Sequence, residues 1–108
     1  MTVNELLAKG VVKAAVLSDG EREITGVYVG DLLSWVMGRA ESGDAWITIM
    51  SNVNVLAVAS LTDCACVILA EGVSLDDETL KTAEEKSINI LYFEKSAYSA
   101  AVYLNSVL

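Results

Sequence analysis

The chain has 108 residues, of which 54% are hydrophobic, and its net charge is −8. That length predicts one domain spanning residues 1–108, while the seven scattered Lys and Arg residues disfavour nucleic acid and anionic membrane surfaces as partners. Histidine is absent, which removes the commonest general base and the commonest metal ligand, so we predict no catalytic residue, no metal and no cofactor.

The first half of the chain predicts two helices and two strands. They are a helix over residues 2–9, a strand over 11–17, a strand over 22–29 and a helix over 30–37. Thr2 and Glu5 have the spacing of a capping box at the start of the first helix. Gly26 interrupts the second strand, which indicates a bulge or a close approach of two backbone segments.

The second half alternates regularly between apolar strands and helices. The predicted strands cover residues 45–50, 64–70 and 88–93, and the predicted helices cover 53–61, 75–86 and 96–108. Continuous apolar strands that alternate with helices are typical of a parallel sheet that is buried on both faces. The predicted fold class is therefore α/β, with a mostly parallel sheet and flanking helices.

Two of these helices, at 53–61 and 96–108, are apolar nearly all round. A helix that packs on one side of a sheet needs a single apolar stripe, so both helices predict a further covering surface. We expect a homodimer, and the alternative partner is a separately encoded enzyme. No window has the roughly eighteen unbroken apolar residues of a membrane span, and no signal-peptide pattern is present, so we expect a cytoplasmic protein.

Several motifs have structural rather than catalytic interpretations. Cys64 and Cys66 stand in a predicted strand, so we expect their side chains on the same face, and we interpret them as small buried apolar residues. The chain has no glycine-rich phosphate loop and no recognisable nucleophile motif. The carboxylates at 76–78 follow Ser74, and we interpret them as part of a Ser-x-x-Asp helix cap.

Polar residues follow each of the three strands in the second half, where parallel strands end at one edge of the sheet. Ligands of such sheets bind at this edge, and helix N–H groups, amides, hydroxyls and a lysine suit a phosphate or a carboxylate. The candidate residues at this edge are Ser51, Asn52, Asn54, Gly72, Lys95 and Ser96. The alternative is that Ser51, Asn52 and Ser96 only cap helices.

One segment of the chain carries a family resemblance. Residues 21–34, which read EREITGVYVGDLLS, resemble the DRTGG domain, and so do the segments 44–49 and 53–61. The residues that match the family's motif are Arg22, Thr25, Gly26 and Gly30, with Asp19 or Glu21 at the acidic position. The resemblance covers essentially the whole chain.

The motif also has a physical interpretation. Gly26 and Gly30 bracket a predicted strand that leads into a helix, where glycine allows unusual dihedrals or a close approach. Thr25 and Asp31 are placed to cap or bridge this turn. We interpret the motif first as structural, and the alternative is that Thr25 and Gly26 contribute to ligand binding.

The resemblance implies a non-catalytic accessory domain. DRTGG domains occur in front of phosphotransacetylase and within CBS-domain pyrophosphatases, and they are related to the N-terminal domain of HPr kinase/phosphorylase, whose phosphate-loop domain this chain lacks. The predicted function is a homodimeric regulatory domain that senses a small anionic metabolite or nucleotide at the carboxyl ends of the strands. The alternative function is a protein-docking module with no small-molecule ligand.

Overall fold

The computed structural model describes residues 1–108 and contains five strands and five helices. The strands are β1 (Lys13–Val16), β2 (Gly26–Val29), β3 (Asp44–Thr48), β4 (Cys66–Leu69) and β5 (Ile90–Tyr92). The helices are α1 (Val3–Ala8), α2 (Leu33–Arg39), α3 (Asn54–Thr62), α4 (Asp77–Glu85) and α5 (Ala97–Val107). Every predicted element is present, in the predicted order. None of the helices has the length and apolar character needed to cross a bilayer.

The five strands form one sheet in the order β1-β5-β4-β3-β2. The strands β2 to β5 are parallel to one another, with Val67 of β4 opposite Ile90 of β5, for example. The strand β1 lies antiparallel to β5 at one edge, and β2 forms the other edge. The predicted α/β class with a mostly parallel sheet is therefore confirmed.

Helices cover both faces of the sheet. The side chains of Cys66 and Ile68 in β4 pack into a buried cluster with α1 and α5. The side chains of Val67 and Leu69 pack into a second buried cluster, on the opposite face, with α2, α3 and α4. Because successive side chains of a strand point to opposite faces and both faces are covered, β3 and β4 are buried along their whole length.

The two edge strands β1 and β2 are consecutive in the chain, so the segment between them crosses the whole sheet. Residues 17–25, which we call the strap, run along the amino edge, where β3, β4 and β5 begin. The strand predicted over 22–29 begins only at Gly26, because residues 22–24 hydrogen-bond to residues 1–3 instead of to a neighbouring strand. Within this stretch Glu23 makes a single isolated bridge, with Thr2.

Two predicted helix caps have different outcomes. The capping box of Thr2 and Glu5 is formed at the start of α1, as predicted. At the start of α4 the cap is Asp76, whose carboxylate accepts a hydrogen bond from the backbone N–H of Thr79 at 2.8 Å. The cap expected from Ser74 was therefore placed two residues too early.

The two apolar helices are covered in different ways. The helix α3 packs against both the sheet and α2, and its buried residues are Val55, Leu56, Val58, Ala59 and Thr62. The helix α2 and the sheet therefore cover one side of α3, while Val53 and Leu61 stay exposed. In α5, by contrast, Ala100 and Leu104 are buried while Tyr98 is 79% exposed and Val102 is 50% exposed.

Cys64 and Cys66 face opposite sides of the sheet, which corrects the expectation that they share a face. Cys66 lies in β4 and packs in the cluster with α1 and α5, whereas Cys64 packs against the other cluster. The reason is that β4 begins at Cys66, so the alternation of a strand does not extend back to Cys64. Burial raises the pKa of Cys66 to about 12 and raises the pKa of Cys64, so both thiols stay protonated near neutral pH.

Candidate ligand site at the carboxyl edge of the sheet

The predicted site residues lie at two opposite edges of the sheet. Six of them follow β3, β4 or β5 at the carboxyl edge, where these strands end: Ser51, Asn52, Asn54, Gly72, Lys95 and Ser96. Thr25 and Gly26 lie at the start of β2, which runs parallel to those strands, and they are therefore at the amino edge. The structure does not bring these two residues together with the other six.

The polar residues after β3 make local hydrogen bonds. The side chain of Asn52 accepts a hydrogen bond from the backbone N–H of Asn54 at 2.9 Å. The N-cap residue of α3 is Val53, which makes no side-chain cap, so Ser51 does not cap this helix. Asn52 does satisfy the backbone N–H of the first helical residue, Asn54, as expected of a capping side chain. Ser96 caps α5, because its hydroxyl accepts a hydrogen bond from a backbone N–H of the first turn at 3.1 Å.

The loops after β4 and β5 meet each other. The backbone N–H of Glu71 donates to the carbonyl oxygen of Lys95 at 2.6 Å, and the N–H of Gly72 donates to that of Phe93 at 3.1 Å. Gly72 has a φ of +69°, in the left-handed region that favours glycine. Two predicted site residues that are far apart in sequence, Gly72 and Lys95, are thus neighbours at the carboxyl edge.

The carboxyl ends of β4 and β5 lie side by side, and the helices that follow these two strands pack on opposite faces of the sheet. The chain leaves β4 for α4, which packs on one face, and it leaves β5 for α5, which packs on the opposite face. Where neighbouring strands lead to opposite faces, a crevice opens beyond their carboxyl ends, and ligands of open α/β sheets bind in that crevice. Gly72, Lys95 and Ser96 lie at this point.

A groove of about 770 Å³ lies between α5, β1 and the end of β5. We call it the α5–β1 groove. Of the predicted site residues, only Lys95 lines it, and the sequence reasoning missed Lys13, Tyr98 and Tyr103, which also line it. No motif marks these residues, since they come from an edge strand and a helix that only the tertiary structure brings together. The tyrosines of a largely apolar helix were the available signal.

At the same edge, Asp31 connects the end of β2 to the end of β3. Its carboxylate accepts hydrogen bonds from the hydroxyl of Thr48 at 2.7 Å and from the backbone N–H of Ile49 at 2.9 Å. The indole N–H of Trp46 donates to the carbonyl oxygen of Gly30 at 2.9 Å and holds the same loop. The helix α2 begins three residues later than predicted and has no side-chain cap, so Asp31 bridges the loop but does not cap the helix.

At the amino edge, the strap is bound by a buried asparagine. The side-chain oxygen of Asn89 accepts hydrogen bonds from the backbone N–H groups of Ser18 and Asp19, at 2.8 and 2.9 Å. Its side-chain amide donates to the carbonyl oxygens of Asp19 and Ala65, at 2.8 and 3.0 Å. Asn89 thus joins the strap to the chain just before β4 and β5.

Further along the strap, Arg22 forms a two-pronged ion pair with Asp63, the residue that ends α3. The guanidinium donates from Nη1 to Oδ1 at 3.0 Å and from Nη2 to Oδ2 at 3.1 Å, and Nη2 also donates to the Asp63 carbonyl oxygen at 2.9 Å. The hydroxyl of Ser42 donates to Oδ2 of the same carboxylate. The hydrogen bonds from Arg22 and then from Ser42 lower the pKa of Asp63 to about 2.

Two glycines allow the strap to approach the start of β3. A Cβ atom on Gly26 would lie 2.5 Å from Oδ1 of Asp44, its partner in β3, so Gly26 accommodates a side chain and not the bulge or second backbone segment that was expected. A Cβ atom on Gly43 would overlap the hydroxyl of Thr25, whose backbone N–H donates to the Gly43 carbonyl oxygen at 2.9 Å. Arg22, Thr25 and Gly26 thus hold the strap against the amino edge, in agreement with the structural interpretation of the motif.

Taken together, the features define a class of small α/β domain: a five-stranded, mostly parallel sheet whose amino edge is crossed by a strap with an Arg-x-x-Thr-Gly motif. The sequence profile of the DRTGG domain matches residues 7–107, and the chain belongs to the DRTGG domain family. No curated protein sequence matches the chain.

A solved structure of similar fold contains the CBS and DRTGG domains of the regulatory region of Clostridium perfringens pyrophosphatase, complexed with the activator diadenosine tetraphosphate. The TM-score is 0.71 and the sequence identity is 14%, over 94% of this chain and 44% of that chain. At this identity the similarity is one of fold. The present chain matches less than half of the pyrophosphatase fragment.

Proposed function

We propose that this chain is a non-catalytic regulatory domain that pairs with a second copy through α5 and senses a small anionic metabolite or nucleotide at the carboxyl edge. The observation that carries the proposal is the surface of α5, an apolar helix that remains exposed on an acidic chain. Family membership supports the regulatory role, because the pyrophosphatase regulatory region of similar fold contains a DRTGG domain and was solved with an activator.

The charge distribution favours a second copy as the occupant of the α5 surface. Residues 96–108 contain no charged side chain, although the net charge of the chain is −8. Tyr98, Val102 and Leu108 are 79%, 50% and 47% exposed along this surface. Two copies of an acidic protein repel each other through their charged faces, whereas two α5 surfaces meet without that repulsion and bury apolar area.

The shape of the surface also suits pairing with itself. Tyr98 and Val102 form a ridge, and each of them lines a groove on either side. One is the α5–β1 groove, and the other, of about 670 Å³, lies between α5 and the start of β2. In a two-fold dimer the same patch meets itself, so a ridge beside a groove allows each copy to seat its ridge in the groove of the other.

Sedimentation velocity of matched variants tests the dimer. We expect the unmodified chain to sediment as a dimer at about 10 µM, a concentration at which a micromolar association is well populated. Val102→Glu places a charge at the centre of the α5 ridge and should give a monomer. Leu61→Glu is the matched control, because Leu61 is a 72% exposed apolar residue of α3, outside this ridge. A monomeric unmodified chain, or a dimer that Leu61→Glu abolishes and Val102→Glu leaves intact, would contradict the proposal.

Thermal denaturation in the presence of candidate ligands tests the sensing role. A ligand that binds the native state raises its stability by about 2.7 kcal/mol at a hundredfold excess over the dissociation constant. We expect a saturable increase in Tm with an adenine nucleotide or an acyl phosphate, and none with uncharged adenosine. A panel of such anions that leaves Tm unchanged at millimolar concentration would rule out this part of the proposal.

A second candidate function is a docking module for a separately encoded enzyme. It is favoured by exposed apolar residues on the α2 side of the sheet, where Leu32 is 60% and Trp35 is 54% exposed. The Trp35 ring also stacks with the guanidinium of Arg39 at 3.9 Å. If this function is correct, a co-purifying enzyme should be lost on Trp35→Glu but retained on Val102→Glu, the reverse of the dimer result.

We further propose that residues 1–108 form a single domain that acts in the cytoplasm. The clusters on the two faces share one sheet, and the strap joins both edge strands across it. Both cysteines are free thiols, and the reducing conditions of the cytoplasm keep thiols in that state. Limited proteolysis that releases a stable fragment, instead of leaving the chain intact, would contradict the single-domain assignment.

A further inference from the structure

We infer that the free edge of β2 pairs antiparallel with β2 of a second copy, so that the two sheets become one continuous sheet. This inference rests on the proposed dimer and deepens it, because it adds a strand edge to the α5 surface and selects the groove between α5 and β2 as the one that is filled. It is carried by three features: the direction of the backbone groups of β2, the lack of protection at this edge, and the position of its valines.

The backbone of β2 presents unpaired groups at the edge of the sheet. The strand has one neighbour, β3, and the backbone N–H of Thr25 donates to the carbonyl oxygen of Gly43 at 2.9 Å. In a parallel pair alternate residues bond to the neighbouring strand, so Val27 also turns its N–H and C=O groups towards β3. Gly26 and Tyr28 therefore turn theirs outwards.

The open edge is limited to β2 itself. On the side of the strap, the backbone N–H of Ile24 donates to the carbonyl oxygen of Met1 at 2.8 Å, so the N-terminal segment covers the outer edge up to this residue. On the other side, β2 ends at Val29. An antiparallel second β2 fits this window with Gly26 opposite Tyr28 of the other copy, and these two residues then exchange both of their backbone hydrogen bonds.

The two edge strands of the sheet differ in how they are protected against pairing. The strand β1 carries the exposed Lys13, and its register with β5 shifts within the strand. Lysine side chains and bulges are devices that keep an edge strand from pairing with another chain. The strand β2 has neither, since residues 24–30 contain no charged side chain and its register with β3 is regular along the whole strand. The β2 edge is therefore the one that is open to a further strand.

The exposed valines of β2 lie on the same face of the sheet as α5. Val27 and Val29 are 37% and 46% exposed, and they are in register with Ala45 and Ile47, which belong to the cluster with α1 and α5. The helix α5 packs over β2 and β3, and Val27 lines the groove beside it together with Val102. A two-fold axis at the β2 edge thus brings two α5 helices together while the strands pair, and one interface covers both apolar surfaces.

The charges next to this edge favour a second copy over a basic peptide. The acidic residues that flank residues 24–30 are Glu23 and Asp31. Glu23 forms an ion pair with the N-terminal amine at 3.0 Å, and the Asp31 carboxylate accepts hydrogen bonds from the hydroxyl of Thr48 and the backbone N–H of Ile49. Because both carboxylates have partners within the chain, the edge does not require a cationic partner and suits an uncharged strand such as another β2.

Amide hydrogen exchange, measured by NMR, tests the pairing directly. At about 0.2 mM a dimer of micromolar affinity is almost fully populated. We expect the N–H groups of Gly26 and Tyr28 to exchange at least about tenfold more slowly in the unmodified chain than in the Val102→Glu monomer, whereas the N–H of Val27, which faces β3, should exchange slowly in both. Equal exchange of Gly26 and Tyr28 in the two samples would overturn the inference and leave the α5 contact standing.

Two variants of Tyr28 separate the strand edge from the α5 surface. Tyr28 is in register with Trp46, and its side chain packs against the cluster on the face opposite to α5. Tyr28→Pro removes the outward N–H, and an edge strand tolerates proline where the missing N–H would face solvent. Tyr28→Val, the matched control, removes the same ring but keeps the N–H. In sedimentation velocity we expect Tyr28→Pro to weaken dimerisation at least about tenfold relative to Tyr28→Val.

The outcomes distinguish this inference from the proposed dimer. A dimer that Val102→Glu abolishes but that is equally strong in Tyr28→Pro and Tyr28→Val retains the α5 contact and overturns the pairing of β2. An unmodified chain that is monomeric, with rapid exchange at Gly26 and Tyr28, overturns both. Protection of these two N–H groups only in a complex with another protein shows a foreign strand and overturns the second copy as occupant. Circular dichroism checks that Tyr28→Pro is folded, and if it is not, the exchange experiment decides.

Discussion

The guanidinium of Arg22 and the carboxylate of Asp63 form a two-pronged ion pair between residues 41 positions apart, with N–O distances of 3.0 and 3.1 Å. Arg22 belongs to the strap and Asp63 ends α3, with φ of +57° in the left-handed region. The pair therefore fixes the strap to the end of the helix that precedes β4. It gives the arginine of the family motif a structural role in holding the amino edge together.

We predict that Arg22→Ala lowers the free energy of unfolding by about 1 kcal/mol. This is the upper end of the range measured for solvent-accessible ion pairs, which applies here because the geometry is good. Arg22→Lys should recover less than half of this loss, because lysine keeps the charge but not the planar fork that meets both carboxylate oxygens. Urea denaturation measures both variants. Lys81→Ala, at an exposed lysine of α4 without an ion pair, is the control for the change in charge, and equal destabilisation by Lys81→Ala and Arg22→Ala would contradict the role of the pair.

Stability at acid pH should reveal the same carboxylate. The pKa of Asp63 is lowered from 3.8 to about 2 in the folded chain, so its ionised form stabilises the fold above pH 4, and the contribution is lost as the pH falls towards 2. We predict that Asp63→Asn is less stable than the unmodified chain near neutral pH and that the difference shrinks between pH 4 and pH 2. Thermal melts across this range measure it. A difference that stays constant down to pH 2 would argue against the ion pair as its source.

Asn89 should be the polar side chain whose loss is most costly. It is 4% exposed and makes hydrogen bonds to the backbone of Ser18, Asp19 and Ala65. Asn89→Ala leaves these backbone groups without partners, and since each unsatisfied buried group costs about 1–3 kcal/mol, we predict a loss of at least about 2 kcal/mol. Asn54→Ala, at an exposed asparagine, should change stability by less than about 0.5 kcal/mol. Denaturant titration that finds the two variants equal would show that Asn89 does not hold the strap.

Two glycine substitutions should have opposite effects on stability. Gly26→Ala places a methyl group 2.5 Å from Oδ1 of Asp44, a buried carboxylate whose other oxygen accepts the Glu41 N–H, so it should destabilise the chain by about 1–3 kcal/mol through overpacking. Gly38→Ala, in α2, meets no atom within 4 Å, and it should stabilise the chain by up to about 1 kcal/mol because alanine favours a helix. Tm values of the pair measure the contrast. A neutral Gly26→Ala would mean that the approach of the strap to β3 is looser than the structure has it.

The sequence was sufficient for features that depend on neighbouring residues. Each strand and helix was predicted because apolar periodicity and turn residues act within a few positions of one another. The capping box of Thr2 and Glu5 is similarly a local signal. The length and apolar character of β3 to β5 also implied a mostly parallel sheet, since only strands covered on both faces lack polar alternation.

Other features were decided by the tertiary structure, because they join residues that no local pattern connects. The order of the strands places β1 and β2 at opposite edges, which forces the strap across the sheet and brings Arg22 to Asp63. The packing of α2 on α3 covers an apolar surface that the helix pattern alone left open. At the carboxyl edge, the sequence determined that Gly72 and Lys95 each follow a buried strand. The helix after β5 packs on the face opposite to α4, and this packing places Lys95 beside a groove with Lys13 and Tyr98. Such a groove depends on how elements pack together, which no local pattern determines.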